Sequence, residues 1–494
     1  MAGGKQRRTR PRICKGFRDI DAATLRARDG MIRTIRGVYE SYGFIPLETP
    51  AVEFVDCLGK FLPESDQPDA GIFAFRNDDE EWVALRYDLT APLSRFVAMN
   101  AELPKPFRRY QVGPVYRVEK PGPGRFREFY QFDFDSVGTN HMLADAECAM
   151  VVSDTLEALG ISRGDYQIRI NNRKILNGVL ETVSGGGELS HKTALGVLRS
   201  IDKLDKVGIE GVTQLLGKGR KDDSGAFIPG VGLPTSQIDR VLGFLSAAGE
   251  SRTVLCDTLE ALVGDTEIGI EGVSELREID SYLNGAGYDE SRVVFDSTVV
   301  RGLEYYTGPV FEGVLTFDIE DEIGRPRQFG SVVSGGRYDE LIARFTGQNV
   351  PSTGGSVGVD RLLAALQALG RVDTRRVTAD VLVTRLDKTM TAEYQRLTAE
   401  LRSAGINVEL YVGNQNIGKQ FKYAADSGRT LAIVMGSDEH ERGEVSIKDL
   451  RRGDELSKEI GADRKKWLED QPAQFTVKRD EVLSSVQSVL ARYA

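Results

Sequence analysis

The segment Arg125-Phe-Arg-Glu-Phe-Tyr-Gln-Phe-Asp-Phe-Asp135 alternates apolar with polar side chains, the period of a β-strand whose successive residues point to opposite faces. One parity carries Phe126, Tyr130, Phe132 and Phe134 and would face a core. The other carries Arg127, Phe129, Gln131, Asp133 and Asp135, a polar row with one aromatic. The residues before it repeat the pattern, with Tyr116 and Val118 on one face and Arg117 and Glu119 on the other. Between them Lys120-Pro-Gly-Pro-Gly124 can continue neither a helix nor a ladder. Strands joined by local loops point to an antiparallel sheet. Taken alone, the alternation also suits a strand with a solvated polar face.

The remaining chain sorts around this sheet. Residues 21 to 42 read as a helix, followed by the strand-like segment 44 to 54 and a hairpin of Ile72–Phe75 and Trp82–Leu85 around a polar turn. From 180 to 290 the apolar spacing moves toward 3.6 and predicts a mostly helical insertion. Strands return at 292–295, 310–317 and 331–333, and a helix begins near Val359. With 494 residues and ~150 per domain, about three compact units are expected. The expected boundaries are a basic arm at 1–14, a catalytic unit at 15–370 that includes the insertion, and a charged linker at 371–378. An α/β unit with a partly parallel sheet follows at 379–463, and a helical tail outside that unit at 464–494.

Composition removes several classes. No apolar run approaches the ~18 residues that cross a bilayer, and the basic start is not followed by a signal-type stretch, so a cytoplasmic protein with no membrane association is expected. The four cysteines are far apart and never form C-x-x-C, and there are only three histidines, so neither a disulfide framework nor a zinc site is expected. A formal net charge of −10 does not exclude RNA, because docking depends on a local basic strip. No G-x-G-x-x-G opens a βαβ unit and no P-loop pattern occurs.

Other segments fix the chemistry. Leu85-Arg-Tyr-Asp-Leu-Thr90 puts Asp88 and Thr90 on one parity; Arg301-Gly-Leu-Glu-Tyr-Tyr-Thr-Gly308 packs an Arg, an acid and two tyrosines between glycines; Gly354-Gly-Ser-Val-Gly-Val-Asp-Arg361 reads as a glycine-rich bend entering a helix. Together these resemble class II aminoacyl-tRNA synthetases, with 46–50, 116–131 and 354–361 similar to their three motifs. Arg301–Gly308 and Gly335-Gly-Arg-Tyr-Asp339 resemble the two signatures of the histidyl-tRNA synthetase family. Silent relatives typically lack the first signature or the C-terminal domain, and this chain carries both.

The resemblance implies an α+β catalytic domain, an antiparallel sheet flanked by helices, that joins L-histidine to ATP and passes it to tRNA(His). A strand from 127 to 135 covers ~26 Å, long enough to lie under an amino acid and a nucleotide together. Arg117 and Arg301 would flank the α-phosphate as catalytic cations, guanidinium pairing bidentately with phosphate oxygens. Phe129 and Arg361 would sandwich adenine, Glu119 would contact its edge, and Mg2+ would arrive with the triphosphate. Asp88, Thr90 and Gln131 would take the α-amino group, and Asp135 and Tyr306 the two imidazole nitrogens. Tyr305, with Arg301, is placed in the histidine site, although Glu304 and Tyr305 are equally compatible with a structural role. Two positions depart from the usual pattern, Asp360 and Asp135, where the family more often has Glu. The C-terminal unit is similar to the family's anticodon-binding domain, with Lys419, Lys422 and Lys448 candidates for phosphate and Gln420 and Tyr423 for bases. The first motif implies a homodimer.

Overall fold

A computed structural model describes residues 9–58, 71–118, 120, 126–183, 190–222, 225–264, 266–300, 306–320, 326–372, 377–460 and 473–493. The alternating segment becomes the strand Glu128–Val137. It is third in a sheet whose eight described strands run 45–46, 107–116, 128–137, 352–358, 331–337, 309–315, 166–172 and 293–295. The interior pairings are antiparallel, as the local loops imply. The outermost strands, Ile45–Pro46 and Val293–Phe295, instead pair in parallel. Each of these is joined to its neighbour by a long crossover and not by a hairpin, which is what parallel pairing requires.

The parity reading holds in three dimensions. Phe132 and Phe134 are fully buried against Tyr39 of the helix Ala22–Ser41, with ring centroids 4.8 and 5.0 Å from it. Asp133 and Asp135, on the other face, are equally enclosed, at 2% exposure each. The polar face is therefore not solvated.

Two local readings are corrected. Segment 44–54 is not one strand: Ile45–Pro46 joins the large sheet, whereas Val52–Phe54 joins Trp82–Leu85 and Ala74–Arg76 in a separate three-stranded sheet. Pro46 and Pro50 break the continuity, since neither can donate to a ladder. Residues 354–358 are not a bend but part of the strand Ser352–Gly358, which runs straight into the helix Val359–Ala368. Its glycines serve close approach: a Cβ on Gly354 would sit 2.3 Å from Asp135 Oδ1, and one on Gly355 would meet the Phe311 ring at 2.9 Å. The insertion is helical as expected, with the helices His191–Ile201, Leu204–Leu216, Thr235–Leu245, Arg252–Val263 and Glu267–Gly285. It also carries an unanticipated hairpin of Gly219–Lys221 and Phe227–Pro229.

The chain divides into two compact units, residues 1–18 with 28–372 and residues 19–27 with 373–494. In the second, a five-stranded sheet is ordered 408–410, 381–383, 431–434, 444–449, 474–478, with the first three strands parallel and the last two antiparallel. The segment after 463 is not a separate tail. Gln474–Lys478 pairs with Glu444–Asp449, and Val482, Val486 and Val489 enter the same apolar cluster as Tyr394, Leu397 and Ile433. Among the described residues, no helix is long and apolar enough to cross a membrane.

Candidate active site

Strand register assembles the site. Arg109 lies opposite Asp135, Gln111 opposite Asp133 and Gly113 opposite Gln131; on the other side Gly354, Ser356 and Gly358 face the same three residues. These side chains share one face of the sheet. Gln131, Asp133, Asp135, Gly354 and Ser356 among them line a cavity of about 330 Å³, within the ~300–1,000 Å³ of small-molecule sites. Of the residues expected from sequence, Asp88, Thr90, Arg117, Gln131, Asp135 and Tyr306 line it. Phe129 and Arg361 do not. Glu119, Arg301 and Tyr305 lie outside the described residues.

Thr90 begins the helix Thr90–Met99, and the Asp88 carboxylate accepts the N–H of Ala91 at 3.0 Å, so the turn before the helix aims both groups. Gln131 Nε2 donates to Ser356 Oγ at 3.0 Å. Arg117 Nε donates to the Tyr87 carbonyl at 3.0 Å, with its guanidinium carbon 5.2 Å from the Phe129 ring centre. That fixes one end of the arginine and leaves it beside the aromatic expected under adenine. Arg361 stands in the first turn after the 352–358 strand and donates to the Ser331 carbonyl at 2.6 Å.

The two departures resolve into specific contacts. Asp360 accepts the backbone N–H of Tyr130 at 2.8 Å and pairs with Arg18 at 2.7 Å, so its shorter arm ties the helix start to the 128–137 strand. Asp135 is held by the Tyr338 hydroxyl and by Arg109, 2.8 Å away and wholly buried. Burial pushes its pKa up; Arg109 and then Tyr338 pull it back. Burial also raises Asp88, opposed by the Ala91 N–H and Arg117, and raises the Tyr306 phenol, which stays protonated.

Sequence reasoning missed Arg109, Asp133 and Tyr338 as site residues. Arg109 has the same parity as Arg117, which stands one residue past the end of the strand Phe107–Tyr116, a signal that was available. Tyr338 belongs to the Gly335–Asp339 signature; beside it Arg337 pairs with buried Asp145, and Asp339 accepts from Thr307 Oγ1 at 2.9 Å. The signature thus braces the strand and the chain just after residue 305.

In the second unit, Lys419 and Lys422 are exposed on the helix Ile417–Asp426, as an RNA-facing role requires. Tyr423 is also exposed, with its hydroxyl on Glu409 and Arg429 stacked at 4.7 Å. Lys448 is half-buried over the Phe421 ring at 4.5 Å, and burial lowers its pKa. Gln420 is corrected: at 1% exposure it bonds the backbone N–H and carbonyl of Arg385, a bracing contact turned away from any base.

The family model for histidyl-tRNA synthetase matches residues 16–362, and that for an anticodon binding domain matches residues 380–488. The histidine–tRNA ligase of Ruegeria pomeroyi is 52% identical over 486 residues, covering 97% of each chain. That of Rhizobium meliloti is 51% identical over 494 residues, covering 99% of this chain and 97% of its own. Among solved structures, the histidyl-tRNA synthetase of a Nostoc species aligns with a TM-score of 0.75 at 30% identity, covering 98% of this chain and 100% of that one.

Proposed function

The chain belongs to the histidyl-tRNA synthetase family, and we propose that it activates L-histidine with ATP in the cavity above the 128–137 strand and transfers it to the 3′ end of tRNA(His). The observation that carries this reading is the meeting of Asp88, Thr90, Gln131, Asp135 and Tyr306 in one pocket. A cationic amine fits beside the Asp88 carboxylate with Thr90 and Gln131. An imidazole fits between Asp135 and a protonated Tyr306, and a ring without both nitrogens would forgo one of those two contacts.

In the first step a histidine carboxylate oxygen attacks the α-phosphorus, a new P–O bond forms, and the bond to the bridging oxygen breaks to release pyrophosphate. Negative charge grows where two anions meet, so fixed guanidinium groups there lower the barrier. Arg117, tethered through Nε to Tyr87, leaves its terminal nitrogens for the phosphate. Arg301, in the role that the family resemblance gives it, would supply the second cation, and ATP would enter as its magnesium complex. In the second step a hydroxyl of the terminal ribose of the tRNA attacks the activated carbonyl and AMP leaves. Residues 15–370 carry activation, and 379–463 with the strand and helix that follow read the anticodon.

The chain acts in the cytoplasm as a C2 homodimer. Ile45, Val52, Phe54 and Phe75 are 42–53% exposed on edge strands beside the first motif, an apolar set suited to a second copy. Arg301→Ala is expected to cut histidine-dependent ATP–pyrophosphate exchange at least ~10²-fold, the scale of losing one charge-stabilising donor. Near-normal exchange in that variant would remove Arg301 from the mechanism.

A further inference from the structure

The three carboxylates of the pocket have their hydrogen-bonding needs met unequally. Asp88 accepts the Ala91 N–H, and Asp135 is held by Tyr338 and Arg109. Asp133 is as deeply buried as Asp135, and each keeps one oxygen without a hydrogen bond among the described residues, but Asp135 Oδ2 has the Arg109 guanidinium 2.8 Å away, whereas Asp133 has the Ser356 hydroxyl on its carboxylate and nothing on Oδ1. A buried acceptor without a donor is costly, and one that lines a substrate cavity is relieved by a ligand that brings the donor. Asp133 stands between Gln131 and Asp135 on the same strand face, ~7 Å along the strand from each. It lines the same cavity as Asp88, Thr90 and Gln131, the groups given to the α-amino end of the substrate.

Resting on the functional reading above, we propose that Asp133 is a further histidine-binding residue, its carboxylate pairing directly with the α-ammonium of the substrate. The surrounding charges make that contact conditional. Arg109 and Arg86 favour the ionised carboxylate, as does the hydroxyl of Ser356; Asp135 and Asp88 oppose it. Tyr306 stands in the same cavity as a neutral phenol and Arg117 lines it too, while Tyr39, also a neutral phenol, is packed on the opposite face of the sheet. Burial outweighs the favourable contacts and pushes Asp133 up to about 7. In the empty pocket near neutrality, this carboxyl is thus partly protonated. When the ammonium arrives it favours the carboxylate, and the carboxyl proton leaves to solvent while the ammonium keeps its own.

The test is titration calorimetry of the full chain with L-histidine and with imidazolepropionate, which lacks the α-amino group. It is run in buffers of different ionisation heat, about one pH unit below and one above the Asp133 midpoint of about 7. After subtraction of the proton that each ligand's own imidazole loses, the wild type is expected to release close to one more proton for histidine than for the deamino ligand at the lower pH, and almost none more at the higher. In Asp133→Asn that difference should vanish and histidine should bind at least ~10-fold more weakly. Equal proton release for the two ligands in the wild type overturns the proposal without reliance on any variant. So does an Asp133→Asn chain that keeps both affinity and proton count. Wild-type protein that binds no histidine at all overturns the reading of the pocket itself, and this proposal with it.

Discussion

The amino-acid pocket keeps its charged groups buried, with Asp135 paired to Arg109, whereas the C-terminal unit carries its lysines Lys419 and Lys422 in the open. Arg109 is fully enclosed and within 2.8 Å of Asp135, with Tyr338 on the same carboxylate; Lys419 and Lys422 stand exposed on a helix. The contrast follows from the ligands. A small zwitterion must be met by groups already oriented, because an oxygen misplaced by an ångström forfeits the selection between similar side chains. A polyanion is held by the sum of many loosely placed cations that displace counterions, and no single one need be rigid. The first arrangement costs desolvation, and breaking it is therefore expensive. In the second, single changes are cheap and nearly additive.

The largest effect that sharpens this contrast comes from Arg109→Met, which strands Asp135 as an uncompensated buried carboxylate. Thermal or chemical unfolding should show a loss of ~3–5 kcal/mol, and the double variant Arg109→Met/Asp135→Asn should recover part of that stability but not histidine activation. A loss below ~1 kcal/mol would mean that the pocket does not depend on the pair. Next comes Gln420→Ala in the second unit, which leaves the Arg385 backbone groups unpaired. It should cost ~1–3 kcal/mol of stability, with no change in the salt dependence of tRNA binding. The smallest effects belong to Lys419→Ala and Lys422→Ala. Each should weaken tRNA a few-fold, lower the slope of log affinity against log salt by about one, and leave stability within ~0.5 kcal/mol. If either lysine proves as costly to stability as Gln420, the distinction between a braced and an open surface fails.

What was legible in the sequence tracks how local the determining physics is. The polar row was readable because strand parity is a property of adjacent residues, and the same rule placed Phe132 and Phe134 in the core. Arg109 and Asp133 were within reach of that rule, but their importance depends on burial from both sides of the sheet, which no single strand reveals. Gly354 and Gly355 read as a bend because glycine usually breaks a strand. Here two neighbouring strands crowd against them, and the crowding comes from Asp135 and Phe311, distant in the chain. Gln420 has the composition of a base-reading residue, and only the fold shows its amide turned inward onto Arg385. The strand Gln474–Lys478 is short and finds its place by pairing with Glu444–Asp449, so its membership of the C-terminal sheet left no mark in its own residues.

The central claim is that the row of Gln131, Asp133 and Asp135, with Asp88, Thr90 and Tyr306, selects histidine for adenylation. Amino-acid-dependent ATP–pyrophosphate exchange, with each of the standard amino acids supplied separately to the full chain, tests it most directly. Exchange driven by histidine alone is the predicted result; exchange driven by another amino acid, or none from folded protein with magnesium and ATP present, would contradict it.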